Sequence, residues 1–253
     1  MKLSLVIPAH NEEECIAQTV SNIIDVLSKE GIGYEIIVVN DNSSDATGKI
    51  IEDLIKHYPN IKLINRRAPR GFGRAVREGL SHVSGDVVGI VMGDLSDDPK
   101  DIVQCFRKIE EGYDCVFGSR FIRGSAVKDY PFIKLCVNRL ANFFVRSLFL
   151  IKANDITNAF KFYRTEVIKA IQPLQASYFN ITVEIPLKAA IRGFSFAQIP
   201  VNWYGRKSGV SKLSIKEMSR KYLFTVLYVW LEKILLRDEV TLKVNNIYDD
   251  QKS

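Results

Sequence analysis

The chain of 253 residues is 47% hydrophobic and 25% charged, with a formal net charge of +6. That is an ordinary globular composition, and it excludes a disordered, collagenous or low-complexity chain. The four cysteines, at 15, 105, 115 and 136, form no Cys-x-x-Cys pair, and the three histidines show no His-x-x-x-His spacing. This argues against a zinc centre or a disulfide framework and predicts buried thiols in a reducing compartment.

The charge is unevenly spread. Residues 1–119 hold 13 Lys+Arg against 19 Asp+Glu, whereas residues 120–237 hold 20 against 6. The second half is either a solvated basic face or meets an anionic partner such as phosphate or a lipid surface. Its bases are interleaved with apolar runs and match no nucleic-acid motif, so a nucleic-acid partner is not expected. The N-terminus, MKLSLVIPAHNEEE, turns acidic too early for a signal peptide, which predicts a cytoplasmic protein.

In chain order, LSLVIP (3–8) reads as a strand. Residues 12–27 have helical spacing through Ile16, Val20, Ile23, Ile24 and Leu27. EIIVVN (35–40) is a second strand, followed by a helix from Ser44 with Ile50, Ile51, Leu54 and Ile55 on one face. KLI (62–64), DVVGIVM (86–92) and CVFGS (115–119) are further strands. Residues 73–83 and a segment opening at Pro99 are helices between them. Strands apolar on both faces, alternating with helices, predict a Rossmann-like α/β domain with a mostly parallel sheet and flanking helices. Its ligand crevice lies beyond the carboxyl ends of the strands. Those ends carry Pro8-Ala9-His10-Asn11-Glu12, Asn40-Asp41-Asn42-Ser43 and Gly93-Asp94-Leu95-Ser96-Asp97. Asp and Asn favour turns for local reasons, so the signal is their recurrence at successive strand ends.

VIPAHNEE, IIVVNDNSSDAT, GRAVREGL, the Asp94 loop, VFGSR, DITNAFKFYR (155–164) and YGRKSGVSKL (204–213) follow one another in this order. Together they resemble a family 2 glycosyltransferase of GT-A fold, and the later motifs resemble its dolichyl- or polyprenyl-phosphate branch, over about residues 2–237. The resemblance implies transfer of a hexose, mannose or glucose, from a GDP- or UDP-sugar to a dolichyl or polyprenyl phosphate. It places Pro8, His10, Glu12 and Asp41 around the base and ribose, with Gly93 beside them. Asp94 would bind a divalent metal, Mg²⁺ or Mn²⁺, with Ser96 and Asp97. Arg120 and Arg206 would face phosphates, helped by Arg139 and Lys212.

Three residues depart from the family's pattern. Met92 stands where an Asp usually precedes Asp94 by two residues, and a thioether is a poor ligand for a hard cation. Asn40 replaces the first Asp at the second strand end, and His10 stands where Tyr is common. A lipid monophosphate acceptor needs no general base, because its second pKa is about 6 and it is largely dianionic at neutral pH. A hydroxyl acceptor on a glycan or protein would need one, with Asp97, Asp98 or Glu184 as candidates. A third reading is a degenerate, non-catalytic membrane-associated binder marked by Met92.

The segments 132–152 and 220–237 mix aromatic and aliphatic residues with bases, and neither is a clean run of about 20 apolar residues. Each is either a core helix or an amphipathic helix at a membrane interface. The expected organisation is a catalytic domain over 1–213, a membrane-interface helix over 214–237 and a polar tail over 238–253. The protein would be peripheral at the cytoplasmic face of a membrane; whether a membrane-anchor subunit assists stays open.

Overall fold

A computed structural model describes residues 1–128, 130–205 and 215–235. The elements in order are β1 (Leu3–Ala9), α1 (Ile16–Lys29), β2 (Tyr34–Asp41), α2 (Thr47–Ile55), β3 (Ile61–Arg66), α3 (Phe72–Leu80), β4 (Val87–Ile90), α4 (Pro99–Glu110) and β5 (Cys115–Ser119). Then come β6 (Val127–Lys128), α5 (Phe132–Phe149), β7 (Lys161–Arg164), α6 (Thr165–Ala170), α7 (Ile181–Ile191), β8 (Phe196–Pro200), β9 (Trp203–Tyr204) and α8 (Ile215–Leu235).

Seven strands form one sheet in the order β3-β2-β1-β4-β7-β5-β8, while β6 and β9 pair separately. All neighbours in the large sheet run parallel except β7, which is antiparallel to both β4 and β5. Strand residues alternate between two cores. Leu3, Leu5, Ile7, Ile36 and Val38 pack with α1, α2 and α4. Val6, Ile37 and Val39 pack with α3, α7 and the inner faces of α5 and α8. Burial on both faces explains why the strands read as continuous apolar runs. On α3, Gly79 is the close-approach point, since a Cβ there would lie 2.4 Å from Val6 Cγ1.

Sheet order reverses at β1, which has β2 on one side and β4 on the other. Such a switch point opens a crevice at the strand ends. Pro8 helps it open: Val91 N–H bonds Val6 O at 3.1 Å, so Pro8, two residues on, faces the same side after the β1–β4 ladder has stopped at Ile90. Its missing N–H therefore costs no ladder bond. Because β7 runs backwards, the turn before it, residues 155–158, reaches this same rim.

Three of the four cysteines are buried and unpaired, but Cys136 is exposed on α5, which corrects the expectation of four buried thiols. It sits on a helix whose outer face is apolar, where a small thiol is tolerated.

Candidate active site

The loops after β1 and β2 are laced together. Asn11, at φ 52, accepts Ser44 N–H at 2.8 Å through Oδ1, and its own N–H donates to Ser43 Oγ at 3.0 Å. Glu12 N–H donates to Thr47 Oγ1 at 2.9 Å, and Glu13 Oε2 accepts Ala46 N–H at 2.8 Å. Asn42 and Leu95, in the next two strand-end loops, also take left-handed φ values of 56 and 60. Asn tolerates that region, whereas Leu is strained in it. All three loops bend sharply to clear the crevice.

Asp41, buried at the end of β2, is ion-paired with Arg66 and accepts Gly71 N–H at 2.6 Å. His10 Nε2 lies 2.7 Å from Arg70 Nη1. Pro8, His10, Glu12 and Asp41 lie at the ends of the paired strands β1 and β2, and His10 and Asp41 meet two arginines that sequence reasoning missed. The run Arg66-Arg67-Ala68-Pro69-Arg70-Gly71, directly after β3, was the available signal. Asp41 shapes this loop with both oxygens, though each retains acceptor capacity. Gly71 and Gly73, in the glycine-rich stretch, are packing residues: a Cβ at either would lie 2.3–2.5 Å from the carbonyls of Ser177 or Ala176. Gly93 is likewise packed, with Ile16 and Ile7 against it and its carbonyl accepting Thr19 Oγ1 at 3.1 Å.

After β4, Asp94 is buried and its Oδ1 accepts Ser96 Oγ at 2.5 Å and Ser96 N–H at 3.2 Å. Asp97 Oδ2 accepts the backbone N–H of Met92 at 3.0 Å, so Met92 contributes its main chain here. Burial, reinforced by the neighbouring Asp94 charge, pushes Asp97 up to about 7. Among the described residues no three His, Cys, Asp or Glu side chains converge as a metal cage. Mg²⁺ is ordinarily held by only one or two carboxylates plus substrate phosphates. The hard oxygens of Asp94, Ser96 and Asp97, with two carboxylates crowding one another, fit a divalent cation of that kind.

Across the rim, Arg120 follows β5 and forms a two-pronged pair with Asp155, Nε–Oδ2 2.7 Å and Nη2–Oδ1 2.9 Å, with both side chains buried. The pair drives Asp155 below the usual carboxylate range and raises Arg120 above its ordinary value, in each case against the cost of burial. Arg120 lies close enough to Asp97 for each to influence the other's charge. Arg139, from α5, bonds Asn154 O at 3.1 Å and sits 4.8 Å from the Phe121 ring. Tyr130 and Trp203, 5.2 Å apart, complete an aromatic wall.

Behind this pair lies Lys161, wholly buried, donating to the carbonyls of Ile156 at 2.9 Å, Asn158 and Thr182 at 3.3 Å. Burial lowers it to about 7, against the pull of Asp155. It pins the 155–158 turn, and nothing in the local pattern of a short strand announces a buried lysine. Arg206 and Lys212 lie outside the described residues.

Two of the candidate bases are engaged elsewhere. Asp98 caps α4 by accepting Lys100 N–H at 3.0 Å. Glu184 is buried in α7 with its two oxygens on the N–H groups of Gln175 and Ala176, both at 2.7 Å. Both Glu184 oxygens are thus occupied within the fold.

The helices beside the arginines are turned inside out. On α8, Glu232 is buried and reaches Arg192 at 2.6 Å and Lys188 at 3.7 Å, and Lys233 caps α5 through Phe149 O at 3.2 Å. Leu223, Phe224, Leu227, Leu231 and Leu235 are exposed, as are Phe132, Ile133, Leu140 and Phe143 on α5. The charges that interrupt the apolar run face the protein. Among the described residues no helix is long and apolar enough to cross a membrane.

The model of glycosyl transferase family 2 matches residues 4–172. The chain belongs to that family. Among family members, the dolichol-phosphate mannosyltransferase of Pyrococcus furiosus is 33% identical over 219 residues, covering 85% of this chain and 60% of the relative. The polyprenol monophosphomannose synthase of Mycolicibacterium smegmatis is 26% identical over 216 residues, 83% of this chain and 80% of the relative. The chain therefore spans less than two thirds of the first relative's length and most of the second's. In architecture, glucosyl-3-phosphoglycerate synthase from Mycobacterium tuberculosis, solved with Mn²⁺, uridine diphosphate and phosphoglyceric acid, superposes with a TM-score of 0.68 at 20% identity. That match covers 90% of this chain and 78% of the other. The fold of this family 2 chain is thus GT-A, as its motifs implied.

Proposed function

We propose that the protein is an inverting glycosyltransferase that moves a hexose, mannose in the first instance, from a GDP- or UDP-sugar to a dolichyl or polyprenyl phosphate. The observation that carries this reading is the placement of buried arginine beside helices whose apolar faces point outward. Arg120 and Arg139 suit a phosphate, and α5 and α8 suit the lipid surface that presents it. The mannosyl- and polyprenol-specific names of the two relatives support the same substrates.

In this reading the nucleotide occupies the crevice bordered by Pro8, His10, Glu12 and Asp41, with the Arg66–Gly71 loop over it. Asp94, Ser96 and Asp97 would hold Mg²⁺ or Mn²⁺, which neutralises charge building on the diphosphate leaving group. Arg120, fixed by Asp155, and Arg139 orient the acceptor phosphate. Its dianionic oxygen attacks the anomeric carbon as the bond to the nucleoside diphosphate breaks, and the configuration inverts. No protein base takes part. Outward-facing Phe, Leu and Ile on α5 and α8 hold the protein peripherally at the cytoplasmic face of the membrane.

The test combines purified protein, vesicles containing a polyprenyl phosphate, and labelled GDP- or UDP-sugars with Mg²⁺, Mn²⁺ or EDTA. Label entering the lipid phase with one donor, and lost in EDTA, is the expected result. Donor binding without any lipid-phase label overturns the acceptor assignment. Transfer to a glycan or protein hydroxyl is the second reading. It is favoured by Asp97, whose value of about 7 suits a base at neutral pH. That reading requires label in the glycan or protein fraction instead.

A further inference from the structure

A cavity of about 580 Å³ lies between α8, the first turn of α7 and the segment 175–178, whose carbonyls back Gly71 and Gly73. Its volume is in the range of roughly 300–1,000 Å³ typical of ligand sites. Along α8 the lining residues climb one helical face: Arg220 and Lys221, then Phe224 and Thr225, then Tyr228. The spacing of four residues per step makes one end of this helical wall cationic and sets Phe224, Thr225 and Tyr228 beyond it.

The cationic end is reinforced from α3. Lys221 Nζ sits 3.3 Å and Arg74 Cζ 5.4 Å from the same Tyr178 ring, which gathers two cations at the cavity mouth. The carboxylate in the lining, Glu184, does not cancel them, since both its oxygens accept backbone N–H groups and Lys188 Nζ lies 3.6 Å away. Phe224, 67% exposed, belongs both to the cavity and to the outward apolar stripe of α8. The cavity therefore opens onto the same surface as that stripe.

We infer that this cavity binds a lipid with an anionic phosphate headgroup, its phosphate against Arg220 and Lys221 and the first part of its chain along Phe224 and Tyr228. The occupant is a bilayer phospholipid, separate from the acceptor. A headgroup held there would fix the rotation of α8 at the membrane surface. Only the choice of a bilayer lipid rests on the membrane reading above; the binding itself does not require sugar transfer.

The experiment titrates the full chain, without any sugar donor, with dioctanoyl phosphatidate, dioctanoyl phosphatidylcholine and inorganic phosphate, using calorimetry. Phosphatidate is expected to bind at least tenfold more tightly than either control. The double variant R220Q/K221Q is expected to lose at least tenfold in that affinity with an unchanged melting temperature. Equal binding of inorganic phosphate would overturn the part played by Phe224 and Tyr228. Phosphatidate binding that survives R220Q/K221Q but falls in R139Q would place the lipid at the acceptor site and overturn the inference, as would no binding at all. Absence of sugar transfer in the vesicle assay described above, with phosphatidate binding intact here, would count against the proposed reaction alone.

Discussion

The acidic and basic halves of this molecule use charge in opposite ways. In the first half, the loops at the ends of β1 and β2 are braced by neutral contacts, such as Asn11 to Ser43 and Ser44, and by carboxylates that hold backbone N–H groups, such as Glu13 to Ala46 and Asp41 to Gly71. Asp41, Asp94 and Asp97 stand at the crevice rim. In the second half, Arg120, Lys161, Lys188 and Arg192 are buried or nearly so and committed to Asp155, backbone carbonyls or Glu232. A large excess of base in the sequence therefore does not become a uniformly basic surface. Four of this half's 20 bases fix the interior, while apolar side chains occupy the outside of α5 and α8.

That contrast can be broken at several points. Asp94→Asn should remove transfer almost completely, by about 10³-fold, the equivalent of several kcal/mol of leaving-group stabilisation. Donor turnover measures it, and a loss under tenfold would mean the acidic rim is not where the chemistry is assisted. Asp155→Asn leaves Arg120 buried without its counter-charge and should cost about 3–5 kcal/mol in denaturant unfolding. An unaltered midpoint would show that the arginine is not internally held.

Glu35 sharpens the comparison from the acidic side, since it is a buried carboxylate remote from the crevice. It sits at the far end of the sheet, and despite the opposing effect of burial its bonds to Lys62, Ser4 and Ser84 lower it to about 2. A depressed carboxylate stabilises the fold above its unfolded value and loses that contribution as pH falls. Between about pH 4.5 and 2 the wild type should lose roughly 3 kcal/mol that Glu35→Gln does not lose. Parallel pH profiles would remove this network from the account. The smallest effect concerns the outer face: Leu227→Asp on α8 should weaken binding to anionic vesicles about tenfold, with little change in melting temperature. Unchanged vesicle sedimentation would mean that α8 does not face lipid.

The first half was legible strand by strand because its strands are apolar on both faces and end in repeated Asp and Asn clusters. Helix limits moved by a few residues: α1 begins at Ile16 and α3 ends at Leu80. The second half was legible mainly as motifs. Strand β7 escaped notice because Lys161 breaks its apolar pattern, and the partners that make a buried lysine tolerable lie in a turn and in α7. Likewise Glu232 and Lys233 looked like interruptions of an apolar helix until Arg192 and Phe149 appeared opposite them. His10 and Asp41 meet one loop, through Arg70 and Gly71. Arg66 and Arg70 were overlooked because their role depends on the β3–α3 loop folding back over β1 and β2.

The reversed direction of β7 also sets where this scaffold tolerates new chain. Most loops at the crevice rim follow a strand, but the 155–158 turn precedes one, so it is anchored downstream by β7 and sideways by Arg120. An insertion between Asn154 and Phe160 would displace Arg120 even though Asp155, its partner, lies 35 residues away in sequence. The exposed turn at Glu111–Tyr113, on the opposite rim, has no such tie to the crevice. A reporter or affinity domain spliced there should leave catalysis intact, which makes it the practical place to attach this enzyme to a surface or a partner.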